Sequence, residues 1–392
     1  MKRFLIILII LLALNVHGQV TESWNLDIDQ YTHNSSTYVT KHPPIEVALF
    51  SNNDMIILFQ KGTFTKINSK GAIIWKKEIE ACAQQRILID KNNTITVSCG
   101  TTISKYNTDG TIIWEKDYSD RFTEQEITFD AITTYKGNLY IAGHFIHENV
   151  IFQLALDQDG NILWKTSFEQ EIADTHSLIP PKEIIIYKDQ IITQAEHYSA
   201  SRSVLYSSDL DGKISVEKPL DYKIKKLKPY NGSLIAVGQS GTFFNDDIIV
   251  NTVDINLTLS NFSTYSLPRN ALISTTSSPD ELKPIQRTRT NYTVNDFEFL
   301  DVNTIIVVGD SNVKPWIINL GINNKIIRNW DPIDTRYIKF NNENTHHSYQ
   351  FTAIHKIGDK FLVSGIHKEE DDKEDLFTTY LNLFIRALEI KK

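Results

Sequence analysis

An all-β chain of seven repeated four-stranded units is what the sequence predicts, on three observations. A strand–turn–strand phrase ending in Gly-x-x-x-Trp recurs along the chain, short β-branched runs closing on glycine precede its copies, and no window sustains helical periodicity.

The N-terminus has Lys2 and Arg3, an apolar run from Phe4 to Leu14, a polar break at Asn15 and a small residue, Gly18, before Gln19. That is the layout of a secretory signal peptide over residues 1–18. A membrane span needs about 20 apolar residues, and this run is shorter, so the competing reading is an uncleaved anchor. The mature chain, residues 19–392, carries no later span and is expected to be an exported single domain, periplasmic or extracellular, and a monomer.

Next comes Val20–Trp24, V-T-E-S-W, continuing to Ile28, which reads as an outer strand without its unit. Then Ile67–Trp75 reads I-N-S-K-G-A-I-I-W, Tyr106–Trp114 reads Y-N-T-D-G-T-I-I-W and Leu156–Trp164 reads L-D-Q-D-G-N-I-L-W. Weaker copies cover Ser208–Val216 and Leu320–Arg328, and a barely recognisable one covers Val253–Asn261. The glycine-closed runs are Asn138–Gly143, Ser233–Gly238, Thr304–Gly309 and Lys360–Gly365, each bounded by turn residues. Upstream of them lie further strand-like runs such as Ile127–Tyr135, Val294–Leu300 and Gln350–Lys356.

The units fall at about 45–79, 85–118, 128–168, 183–220, 223–266, 294–331 and 349–390. Repeats of this length with four strands each are the signature of β-propeller blades. The last unit lacks a turn glycine before its final strand, so Val20–Ile28 is expected to complete it and close the ring, removing exposed sheet edges. Alternatively Phe384–Ile390 supplies that strand itself. Helix is expected only as short turns, and Leu376–Ile390 reads as strand.

The three strong copies resemble the quinoprotein-type (PQQ-like) repeat, which also builds bacterial non-enzymatic scaffold propellers. The resemblance implies that Trp75, Trp114 and Trp164 dock between adjacent blades and that Gly71, Gly110 and Gly160 shape the preceding turns. The physical reading agrees, since glycine accepts the positive φ of a tight hairpin and a large aromatic seals a gap between sheets. No cofactor is implied, because the vicinal cysteine pair of the quinoprotein dehydrogenases is missing.

The two cysteines, Cys82 and Cys99, flank one hairpin, with strands at Gln85–Ile89 and Thr94–Ser98. In an oxidising compartment they are expected to be bridged, the other reading being two buried thiols. The turns Asp157-x-Asp159-Gly160 and Asp209-x-Asp211-Gly212 invite a calcium reading. In the first copy, however, Ala155 and Thr166 stand where an EF-hand needs acids, so hairpin turns explain them better. His144, His147, His176, His197, His346, His347, His355 and His367 show no metal-like spacing.

The formal net charge is −8, and losing Lys2 and Arg3 with no acid moves it to −10. Such a surface repels nucleic-acid backbones, so no nucleic-acid role is expected. The connections between units, and those between second and third strands, are long and open on one face; the others are short. Loops on a rigid scaffold favour binding. The expected function is therefore a binding or scaffold propeller of the cell envelope, engaging a protein or glycan through His144, His197, Tyr198, Arg287, Arg289 and His367. The insertion Leu267–Thr293 is expected to take part. The alternative is a metal-dependent hydrolase or lyase using Asp130 and Asp296 in a central channel.

Overall fold

A computed structural model of the chain describes residues 20–34, 46–58, 63–70, 72–79, 85–122, 126–146, 148, 150–169, 180–197, 202–240, 247–266, 292–301, 303–311, 315–321, 346–357, 360–371 and 378–390. Strand β1 is Val20–Asn34. Sheet 1 holds β2 to β5 (Glu46–Leu49, Met55–Leu58, Thr63–Ile67, Ile73–Glu78), and sheet 2 holds β6 to β9 (Gln85–Ile89, Ile95–Cys99, Thr102–Tyr106, Ile112–Asp117). Sheet 3 holds β10 to β13 (Ile127–Tyr135, Asn138–Phe145, Val150–Leu156, Ile162–Glu169), and sheet 4 holds β14 to β17 (Pro181–Tyr187, Gln190–His197, Arg202–Asp209, Ile214–Pro219). Sheet 5 holds β18 to β21 (Tyr222–Tyr230, Ser233–Ser240, Asp247–Val253, Leu259–Ser266), and sheet 6 holds β22 to β24 (Tyr292–Asp301, Thr304–Ser311, Pro315–Gly321). Sheet 7 holds β25 to β27 (His346–Ile357, Lys360–Asp371, Thr378–Ile390) together with β1.

Every sheet is antiparallel, and six have four strands; all but the one that contains β1 are simple meanders. Sheet 6 has three among the described residues, and most of the expected copy Leu320–Arg328 lies outside them. In sheet 7 the strand order is β1-β27-β26-β25. The N-terminal strand is thus the outermost one, pairing from Val20 with Ile390 to Asn34 with Thr378, while Phe384–Ile390 belongs to the third strand. Among the described residues the one helical element is the short turn Ser119–Phe122.

The first strands lie side by side in chain order, β2 against β6, then β10, β14, β18, β22 and β25. Second and third strands are sandwiched between neighbouring sheets, which explains their near-continuous apolar runs, as in the fully buried Met55–Leu58. One apolar layer joins Phe50, Leu58 and Phe64 of the sheet 1 region to Ile87, Val97 and Tyr106 of sheet 2. Another joins Val237 and Val250 of sheet 5 to Phe297 and Val307 of sheet 6.

The glycine-closed runs have a steric cause. In sheets 3, 5, 6 and 7 the first strand bulges by one residue directly after the partner of a second-strand glycine, the pairs being Phe129 with Gly143, Ile224 with Gly238, Val294 with Gly309 and Phe351 with Gly365. A Cβ on Gly143 would lie 2.1 Å from Thr128 O and 2.3 Å from Phe152 Cζ, and one on Gly238 would lie 2.4 Å from Lys223 O. The bulged backbone occupies the space that a side chain would need. Sheet 4 bulges likewise after Pro181, opposite Ala195.

The outer strands bulge too, and here the Gly-x-x-x-Trp phrase acts. The turn residue Asp157 accepts the N–H groups of Asp159 and Asn161 on Oδ1, and Asp209 does the same for Asp211 and Lys213. These carboxylates therefore cap hairpins. Gly110, Gly160 and Gly212 sit at φ of 80°, 74° and 84°, while Gly71 lies outside the described residues. Trp75, Trp114 and Trp164 are half-buried and span the junctions: their indole N–H groups donate to Thr108 O (3.2 Å), Gln158 O (2.9 Å) and Leu210 O (2.8 Å), each in the next sheet's turn.

Cys99 is disulfide-bonded. Cys82, the other cysteine of the sequence, lies outside the described residues.

Candidate functional site

A cavity of about 470 Å³ among the first strands is lined by Glu46, Arg86, Lys182, Glu183, Lys226, Lys228, Asp296, Glu298 and His355, with apolar positions between them. Its charged side chains stitch successive sheets together. Glu46 accepts the N–H of Ile87 (2.6 Å), Glu183 that of Leu227 (2.8 Å) and Asp296 that of Ile354 (3.0 Å). Between these junctions, Arg86 donates to Asp130 O and Lys228 to Phe297 O. Carboxylates thus bind the next strand's N–H and cations the next strand's carbonyl, at five of the junctions between successive sheets.

The same side chains form ion pairs: Arg86 with Glu46 at 3.3 Å, Lys226 with Glu183 at 2.7 Å, and Lys228 with Asp296 and Glu298 at 3.2 and 3.3 Å. Burial pushes the Glu46 carboxyl up, and the nearby Arg86 offsets this only in part. Burial acts the same way on Asp296, but the Lys228 and Lys226 charges outweigh it and hold this carboxyl below the usual range. The His355 imidazole is pushed down to about 4 by burial and by the Lys228 charge, so it is neutral at neutral pH.

Asp130 and Asp296 are both buried and both engaged, but they are not brought together. Asp130 accepts from His144 Nδ1 at 2.6 Å and from the Thr128 hydroxyl, inside sheet 3. Here expectation must be corrected: His144 is no loop residue but part of β11, and it is buried against Asp130. With Asp130 and Thr128 both at Nδ1, it lacks the relay geometry of a hydrolytic triad. His346 and His347 begin β25. His197 ends β15 and His367 lies in β26, at backbone level. Tyr198, Arg287 and Arg289, with nearly all of Leu267–Thr293, lie outside the described residues.

Lys182, Lys226, Lys228, Glu46, Glu183 and His355 were missed by sequence reasoning. A signal was there: in five first strands a charge stands directly before an apolar residue, in Glu46-Val47, Arg86-Ile87, Glu183-Ile184, Lys226-Leu227 and Asp296-Phe297.

Among the described residues no helix is long and apolar enough to cross a membrane, and no group of three or more His, Cys, Asp or Glu side chains could hold a metal ion. No family model and no curated protein matches the chain. Solved structures do. The chain is similar to the Dos1 propeller (11% identity, 93% of this chain and 95% of that one, TM-score 0.51). It is similar also to the C-terminal WD40 domain of Sif2 (8% identity, 96% and 99%, TM-score 0.51) and to BamB from Moraxella catarrhalis (13% identity, 95% and 98%, TM-score 0.46). The first two likenesses, with the sheets and the central cavity, show the fold, a β-propeller of four-stranded antiparallel blades.

Proposed function

We propose that this chain is an exported, seven-bladed binding propeller of the quinoprotein-type repeat, closed by β1, that engages a protein or glycan of the cell envelope. The observation that carries binding over hydrolysis is the state of the channel carboxylates. Each oxygen of Glu46, Glu183, Asp296 and Glu298 already holds a protein partner. A hydrolase or lyase needs a carboxylate with room for a metal or a water, and these act as structural ties.

Export is supported by the N-terminal signal-like segment and by the disulfide at Cys99. Closure is supported by register: in β1 the bulge between Glu22 and Trp24 places Trp24 opposite Ala387, as the bulge in β13 places Trp164 opposite Ala155. The proposed binding face is the one where the unit-to-unit connections and those between second and third strands emerge. The opposite face carries tight turns such as Asn231–Gly232 and Asp254–Thr258.

A second reading rests on the exposed pairs Ile73–Ile74, Ile112–Ile113 and Ile162–Leu163, which begin the outer strands of three successive sheets and make an apolar stripe on the rim. The test replaces residues 267–291, up to the start of β22, by a short Gly/Ser linker, verifies unchanged melting, and compares partners captured from the native envelope. Loss of partners supports the loop face. Retention of every partner removes the insertion from the binding surface and favours the rim.

A further inference from the structure

The hydrogen-bond inventory of the channel is lopsided. Its carboxylate oxygens are all occupied, whereas its cations retain unused donors. Lys182, the bulge residue of β14, has no hydrogen-bond or ion-pair partner among the described residues, although it lines the cavity. Lys226 spends its ammonium on Glu183 Oε1 alone, leaving two of three N–H donors, and Arg86 uses Nε and Nη1 but not Nη2.

We propose that the central channel is a binding site for a small oxyanion-bearing molecule, a phosphate ester or a carboxylic acid in its ionised form, held by Lys182, Lys226 and Arg86. The cavity volume falls within the range of small-molecule sites, about 300–1,000 Å³. An anion is the chemistry that fits, because it accepts from groups with donors to spare and asks nothing of the carboxylates. A cation would have to displace existing ion pairs. This site is independent of the partner surface proposed above, since it lies among the first strands and not on the loops or rim.

The test uses the whole mature chain with inorganic pyrophosphate and citrate as probes, followed by calorimetric titration and melting at constant ionic strength. The parent should bind one of them with a one-to-one stoichiometry, and which one distinguishes a phosphate from a carboxylate source. Lys182→Glu touches no described partner and should melt as the parent does, yet bind at least tenfold more weakly. Failure of the parent to bind either probe at millimolar concentration overturns the proposal, as does a Lys182→Glu chain that binds like the parent.

Discussion

The indole of Trp164 lies over Gly212 of the following sheet, so close that a Cβ on that glycine would come within 2.6 Å of the ring carbon Cε3, while the indole N–H binds Leu210 O at 2.8 Å. Trp114 stands in the same relation to Gly160, where a Cβ would lie 3.0 Å from Cη2. At the next junction both partners change. Val216 takes the tryptophan's place and Leu257, at φ 58°, takes the glycine's, and both belong to one apolar cluster. A large side chain on the strand faces none on the turn, or a smaller one faces a larger, so the junction stays filled.

Gly212→Ala and Gly232→Ala separate the two demands on a turn glycine. Both have positive φ, 84° and 72°, but a Cβ at Gly232 meets nothing within 4 Å. Gly232→Ala should lose about 1–2 kcal/mol from backbone strain. Gly212→Ala should lose at least about 1 kcal/mol more, because the indole must move. Urea denaturation of both variants measures the difference, and equal losses would remove the docking role from the glycine.

Gly143→Ala sets a Cβ against the backbone oxygen of Thr128, which has nowhere to go. The variant should lose about 3 kcal/mol or more, or fail to fold. The reverse change at the corresponding place in sheet 4, Ala195→Gly, should cost no more than about 1 kcal/mol. Melting of Ala195→Gly and the soluble yield of Gly143→Ala give the readouts.

Asp296→Asn probes the channel stitching through pH. A carboxyl held below its usual range adds stability that is present above its unfolded pKa, about 4, and is lost as pH falls through its folded value. At pH 7 the substitution leaves Lys228 with a weakened partner and should destabilise by about 3 kcal/mol. The gap between variant and parent should narrow as pH falls below about 4. A gap independent of pH would mean that the Asp296 charge is not what ties sheet 6 to sheet 7.

Much of this fold was legible because its repeat repeats the physics. Glycine and tryptophan recur where a hairpin needs positive φ and a gap needs sealing, and glycine recurs where a bulged neighbour leaves no room for a Cβ. The weak copy at Val253–Asn261 hid because Leu257 keeps the turn conformation without the residue that advertises it. The site was far less legible. His144 reads as the start of a loop, yet β11 runs on to Phe145 and buries it against Asp130. Lys182, Lys226 and His355 come from three different sheets and share nothing in sequence, since only the curvature of successive sheets brings them to one cavity.

Ring closure by β1 is tested by a chain that begins after Asn34. Its melting temperature should fall by several degrees, and amides of Thr378–Ile390 should exchange faster. A peptide of Val20–Asn34 supplied in trans should restore their protection. Equal melting and equal protection in the shortened chain would detach β1 from the fold.

Site-specific photo-crosslinking in the native envelope tests the proposed binding face most directly. Photoreactive residues at Glu148 and Asp221 sample the connections of the proposed binding face, Asn231 samples the tight turns of the opposite face, and Ile113 samples the apolar rim. Adducts with one and the same partner from Glu148 and Asp221, and none from Asn231, are the predicted result. Adducts that form only from Asn231 or only from Ile113 would contradict it, placing the partner on the turn face or the rim.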